Sequence, residues 1–414
     1  PAVDLPAWAA ALSANTVQDL TTTPATLEDA LGYRGNFWTA FGGISFAPWY
    51  GDSGSILAAG GGHADGGYNS VARLDINTRA WSVVKTAAPI YSKSCPAEGG
   101  YDAGTYCGDY ATGWMFANAT AGDYTVTVGE PTASHAHSNM VSIPPGELTE
   151  SGATYGWFYQ HSVEGIYPTG QRGNNGSKRL RIGVDQLYTQ VGSYSGVPAY
   201  LDYFQSIGWA SVYDPTRRRV WYKLVNTVAS GGAVARVLQW RDPDDGTYGN
   251  VNFNASGSTS TDYAAGYHTM AYMAAHDCIV DLCRNTNGTD YYRIVVYDLA
   301  TGQSFEPSQT GTLPTTLLGG TARGWSNTWN CAYFISGEGE AKIWFCKPSG
   351  NPRSSDWAWS SQVLSGTMRA ALDDNDDPLT GHNRLVHIEE MGDIFLWCVK
   401  DTLPVQVIRA DEPA

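Results

Sequence analysis

Four of the eight histidines fall where strand-like runs begin: His135, His137, His268 and His382. His135 and His137 are two residues apart, so on extended chain they share one face. His137 and His382 occupy equivalent positions when the runs are aligned, while His268 is one residue out of that register and is expected to point differently. With Tyr167, Arg172 and Arg323 they supply the groups that polysaccharide β-elimination requires. A base removes the proton beside a uronate carboxylate, a cation neutralises that carboxylate, and an acid protonates the leaving oxygen. His135 or His137 would be the base, Tyr167 the acid, and Arg172 or Arg323 the carboxylate partner. The competing reading is structural: imidazoles that hydrogen-bond backbone inside a channel.

A second set has the chemistry of ligand binding. Trp325 and Trp329, with Trp357 and Trp359 nearby and Tyr106 and Tyr110 further upstream, could stack on sugar rings. His268, His382 and Asn383 would add polar contacts. Most of these indoles are equally expected in a core. Converging histidines would suit zinc or copper, yet the chain has no His-x-x-x-His and no Cys-x-x-Cys. No metal ligand and no cofactor is assigned, although a structural metal ion is compatible with the residues. His63 and Asp65 are read as holding loop amides, and the acidic run 373–377 as a solvated turn, because it lacks the glycine and terminal Glu of a calcium loop. Gly-x-Ser-x-Gly and phosphate-loop patterns are missing, so serine-hydrolase and nucleotide-binding readings have no support.

The elements that must position these residues are short strands. The composition includes 47 Gly, 15 Trp and 25 Tyr, with only 16% charged residues, which fits an all-β protein better than one built on long amphipathic helices. A unit recurs: an inner strand, a turn, a second apolar strand, a loop, and a third strand running into a polar turn. Inner strands are expected at 45–49, 139–143, 209–213, 268–272, 331–334 and 384–388, and third strands are clearest at 71–81 and 293–305. The first unit carries Gly60-Gly61-Gly62-His63, then Tyr68-Asn69, Leu74-Asp75, Asn77-Thr78 and Trp81. Glycines there allow close backbone approach, and the indole would pack between neighbouring sheets.

This order resembles the kelch-type repeat, with a period near 50 residues. The segment Pro131-Thr132-Ala133-Ser134-His135-Ala136-His137, together with the Gly-Gly-Gly-His-Ala-Asp of the first unit, is similar to kelch-like propellers of bacteria and tailed phages. Ala136 and His137 stand where that group has Thr and Tyr. The resemblance implies a β-propeller of four-stranded blades; the six units counted along the chain favour six, a seventh within the insertion is allowed, and the alternating segment 15–20 would close the ring as the outer strand of the last unit. Galactose oxidase shares the kelch propeller, but its copper site needs an added domain that this length does not supply. One domain over 1–414 is expected, with a long inserted loop at 91–130 between the first and second visible blades.

A net charge of −15 argues against nucleic-acid partners, and no apolar run is long enough for a membrane helix. The opening Pro1-Ala2-Val3-Asp4 is not a secretory signal, and earlier removal of one stays open. Seven cysteines leave at least one unpaired. Cys95 and Cys107 flank a Gly-rich loop and could pair. Cys331 and Cys346 would oppose each other across a hairpin turning at 338–339, although Cys283, Cys346 and Cys398 also read as small buried thiols at strand ends. The resulting expectation is a non-enzymatic binding or structural propeller that recognises a glycan or protein surface. It would be a phage virion (tail or fibre) or cell-surface component, virion-located or extracellular, able to enter a homo-oligomer or virion assembly. The alternative is a polysaccharide lyase acting on uronate-containing glycans.

Overall fold

The computed structural model describes residues 5–20, 43–59, 71–85, 114–115, 130–131, 140–149, 156–160, 177–182, 188–191, 210–223, 236–256, 268–285, 291–314, 321–336, 339–370, 384–399 and 403–413. These form strands almost throughout, with one helical turn, α1 (Ala7–Ala10), and a 3-10 turn at Glu389–Met391. Strand β1 (Thr16–Asp19) is followed by a first meander of β2 (Gly43–Ala47), β3 (Ser55–Ala59), β4 (Val71–Asp75) and β5 (Ala80–Lys85). Within the expected insertion, β6 (Trp114–Met115) pairs with β7 (Glu130–Pro131) as a two-stranded ladder. The second meander is β8 (Met140–Ile143), β9 (Trp157–Gln160), β10 (Ser177–Arg181) and β11 (Tyr188–Val191). The third is β12 (Ala210–Asp214), β13 (Arg219–Lys223), β14 (Arg236–Arg241) and β15 (Tyr248–Ser256), and the fourth β16 (His268–Met273), β17 (Cys278–Asn285), β18 (Tyr291–Asp298) and β19 (Gln303–Phe305). An edge strand β20 (Gln309–Gly311) precedes the fifth meander, β21 (Ala322–Ser326), β22 (Cys331–Ile335), β23 (Lys342–Pro348) and β24 (Trp357–Val363). The last comprises β25 (Leu385–Ile388), β26 (Ile394–Trp397) and β27 (Gln406–Arg409), with β1 as its outer strand.

The architecture is a β-propeller of four-stranded units. Among the described residues, the expected six or seven separate blades are corrected to five sheets of four or more strands. The reason is a parallel pairing of β15 with β19, which joins Asn254 to Gln303 and Ser256 to Phe305. It fuses the third and fourth meanders into one eight-stranded sheet, so six meanders occupy five sheets. Their innermost strands neighbour one another in the cyclic order β2, β8, β12, β16, β21, β25 and back to β2.

Apolar alternation explains why the ring holds. Each meander buries both faces, and each neighbouring pair shares one cluster. Ile44, Ile56 and Leu74 meet Ile388, Leu396 and Val407 between the first and last units, where α1 contributes Ala9. Leu57 and Val71 meet Met140 and Leu180 between the first and second; Val141 and Ile143 meet Val220 between the second and third. Trp221 and Leu238 meet Ile279 and Tyr297, Val280 and Val296 meet Trp344 and Trp357, and Phe345 meets Phe395 and Trp397. Truncating one of these large side chains to alanine removes about 2–5 kcal/mol.

The expected N-terminal closing strand is present: Thr16 lies opposite Arg409 and Asp19 opposite Gln406 in an antiparallel ladder. It covers the edge that β27 would otherwise expose. Two further expectations are corrected. The inner strand of the fifth unit is β21, which neighbours β16 and β25, whereas Cys331 begins the second strand. In addition, Cys346 lies opposite Ala332 rather than Cys331. That one-residue offset sends the thiols to opposite faces of the sheet, Cys331 into the cluster with Phe395 and Cys346 into that with Trp357. Both are free and buried, as are Cys278, Cys283 and Cys398; Cys95 and Cys107 lie outside the described residues.

Candidate functional site

The two ends of the ring are built differently. At one end the strands are joined by short turns, and these turns are tied to each other across the unit boundaries. Asp214 at the end of β12 accepts backbone N–H bonds from Thr216 and Arg217, an arrangement that Asp side chains favour in turns. Arg217 then bridges Asp214 at 3.0 Å to Asp277 of the fourth unit at 2.6 and 2.7 Å. Arg217's hydrogen bonds to Asp277 hold the Asp277 carboxyl below its usual range. Arg353 of the fifth unit reaches Asp298 at 2.9 Å and the His276 carbonyl at 2.5 Å, and His276 Nε2 lies 3.2 Å from Asn330 Oδ1. Asn327 completes the chain: its Oδ1 accepts from Ala274 N at 3.0 Å, and its backbone N–H donates to Glu389 of the last unit.

Towards the other end, strands β13, β16, β17 and β21 gather a buried polar cluster. His268 opens β16, and its cross-strand partner is Cys283 on β17. Asp281, two residues before Cys283, projects from the same face of β17. His268 Nδ1 lies 2.9 and 3.0 Å from the two Asp281 carboxylate oxygens. An ionised carboxylate has no proton to give, so Nδ1 carries the hydrogen and donates. Lys223, at the end of β13 in the neighbouring unit, places Nζ 3.1 Å from Asp281 Oδ2 and 2.8 Å from the Tyr297 hydroxyl. Asp281 is fully buried and His268 is 6% exposed.

The electrostatics follow from that burial. Desolvation alone would raise the Asp281 pKa, yet the charges of His268 and Lys223 hold it well below the usual carboxylate range. Cys283 is pushed up to about 12 by burial first and by the Asp281 charge second, so it is a thiol, not a nucleophilic thiolate. Arg323 on β21 donates from Nε to the Leu282 carbonyl at 3.0 Å. Arg293 on β18 pairs with Glu306 through Nε at 2.6 Å and Nη2 at 2.8 Å. The cluster can therefore hold charge in a fixed place out of water.

Two residues singled out in the sequence, His268 and Arg323, thus converge on the segment 281–283. Trp325 and Trp329 are placed in the core: Trp325 packs on Trp357 with centroids 5.5 Å apart, and Trp329 lies 4.7 Å from His387 and 5.4 Å from Phe395. Trp357 and Trp359 join the same inter-unit cluster as Trp325, the structural role expected of most of these indoles. His135, His137, Tyr167, Arg172, His382 and Asn383, with His63, Asp65, Tyr106, Tyr110 and the acidic run 373–377, lie outside the described residues. Sequence reasoning missed Asp281 and Lys223. The signal was there, because an Asp inside the apolar strand Ile279-Val280-Asp281-Leu282-Cys283 requires a buried partner.

No family model and no curated protein matches the chain. Among solved structures it is similar to TolB from Acinetobacter baumannii at 10% identity and a TM-score of 0.41, with 85% of this chain aligned. The chain spans 64% of the length of that protein.

Proposed function

We propose that the chain is a kelch-like propeller that binds rather than catalyses, and that it recognises a glycan or protein surface as part of a virion or an extracellular assembly. The observation that carries this is the difference between the two ends of the ring. One end is locked by short turns and inter-unit ion pairs, which suits a rigid support. Towards the other, His268, Lys223 and Arg323 converge on the buried segment 281–283. The ionisable groups described there are engaged with each other: His268 with Asp281, Asp281 with Lys223, and Arg293 with Glu306. A general base needs a proton acceptor facing substrate, whereas a pre-organised polar scaffold needs only to stay in place.

The test is to incubate the protein with polygalacturonate and alginate, following binding by calorimetry and unsaturated ends by absorbance. Saturable binding without new unsaturated ends supports the reading. Release of such ends, lost in His137→Ala, overturns it in favour of a uronate lyase.

A further inference from the structure

We propose that His268, Asp281 and Cys283 form a site for a thiophilic divalent metal ion of the zinc class. Each offers a ligand atom, and these atoms lie within 4.8 Å of one another, all three residues being buried. The set is built by the sheet itself. His268 and Cys283 are direct cross-strand partners on β16 and β17, and Asp281 shares the face of Cys283. Strands fix such positions more firmly than loops do. Imidazole, carboxylate and thiolate are the donor types zinc takes, and three protein ligands with a fourth open position is a recurrent arrangement. A tetrahedral ion with bonds of about 2.0–2.3 Å needs its donors roughly 3.3–3.8 Å apart, so side-chain rotation of about 1 Å completes the shell.

The charge around the site is balanced without metal and one unit positive with it, the excess being the Lys223 ammonium. Without metal, the Asp281 carboxylate is neutralised by the Lys223 ammonium, 3.1 Å away. On binding, the Cys283 S–H bond breaks and its proton leaves to solvent, the His268 hydrogen moves from Nδ1 to Nε2 by exchange with solvent so that Nδ1 can ligate, and sulfur–metal and nitrogen–metal bonds form with no change of oxidation state. Thiolate and carboxylate together then match the two charges of the ion. Lys223 keeps its 2.8 Å contact to the Tyr297 hydroxyl and its place beside that ring, so it has a second partner when the carboxylate turns to metal. The same ammonium repels an incoming cation, which makes Lys223 the residue that sets affinity.

Cobalt(II) is the probe, because thiolate ligation gives an intense charge-transfer band absent from oxygen and nitrogen sites. The purified full chain is titrated with cobalt(II) under reducing conditions, and zinc is then added. One equivalent should produce the band, and zinc should displace it. Cys283→Ser should abolish the band, and His268→Gln should weaken cobalt binding about 10–100-fold. Lys223→Met should tighten it about tenfold by removing the competing cation. Failure of the band to form in both the native chain and Lys223→Met overturns the proposal, as does a band that survives Cys283→Ser. If Cys283→Ser does not fold by circular dichroism, the Lys223→Met and His268→Gln shifts decide: opposite directions support the site, and no shift in either overturns it.

Discussion

Replacing Asp281 with Asn is the most direct probe of the buried cluster. The substitution keeps shape and removes charge, taking the Asp281 carboxylate away from the Lys223 ammonium. Removing one partner of a buried ion pair costs about 3–5 kcal/mol. Lys223 is 12% exposed and keeps the Tyr297 hydroxyl, so the lower end, about 3 kcal/mol, applies. Unfolding entropy of roughly 2.1 cal/mol/K per residue gives about 0.9 kcal/mol/K for a cooperative transition of this length, hence a fall in Tm of about 3 °C. Calorimetry of Asp281→Asn, Lys223→Met and the double variant reads this directly. The double variant should recover at least half of the loss, because the ammonium that lost Asp281 is gone. The pH dependence has a fixed sign. A carboxyl whose folded pKa is depressed contributes stability above its unfolded value, about 3.9, and loses it as pH falls through the folded value. The gap between native chain and Asp281→Asn should therefore be constant from pH 8 to about pH 5 and close in stronger acid. A fall under about 1 °C, or additive losses in the double variant, would refute the claim that this pair is coupled and buried.

Three further predictions concern the locked end and the closure. Glu389 is pushed up to about 7 by burial, with Glu390 adding repulsion, so its neutral form is favoured in the fold and stability is lost as pH rises through that value. Glu389→Gln should be about 1 kcal/mol more stable than the native chain at pH 8 and equal to it near pH 4.5, by denaturant melts. Arg217→Ala should cost about 1–2 kcal/mol, with the partial exposure of Asp277 setting the low end, by the same melts. Gly366 has φ +110°, and a Cβ there would sit 2.2 Å from the Val17 carbonyl oxygen; Gly366→Ala should cost about 2 kcal/mol or more and make β1 cleavable by protease at concentrations that spare the native chain.

The sheet architecture was legible because alternation and glycine punctuation are local signals. The closing strand was legible too: Val17 alternates with polar neighbours, and the last unit visibly lacked an outer strand. The assignment of Cys331–Phe334 as an inner strand failed for a physical reason. Ala322–Ser326 is buried at every position, so it carries no alternation to mark it as a strand. It also contains Gly324, required because a Cβ there would sit 2.2 Å from the Tyr333 hydroxyl. That hydroxyl reaches across to accept from the His387 N–H at 3.2 Å. The fusion of two meanders was invisible, since a parallel contact between β15 and β19 depends on tertiary placement. In the cluster, His268 and Arg323 drew attention by residue type. Lys223 did not, because a lysine at a strand end usually faces water, and only the neighbouring unit shows that this one faces Asp281.

The pairing of β1 with β27 has a consequence for biosynthesis. Strand β1 lacks its ladder partner until Gln406–Arg409 has emerged from the ribosome, with only the bridge to Ser365 to hold it before then. The four inter-unit clusters that contain no residue of β1 or β27 can form as translation proceeds, but the circle latches only once β27 is made. Until then two ladder edges stay open to the wrong neighbour, so a chain stalled before residue 406 should be the species that chaperones or aggregates capture.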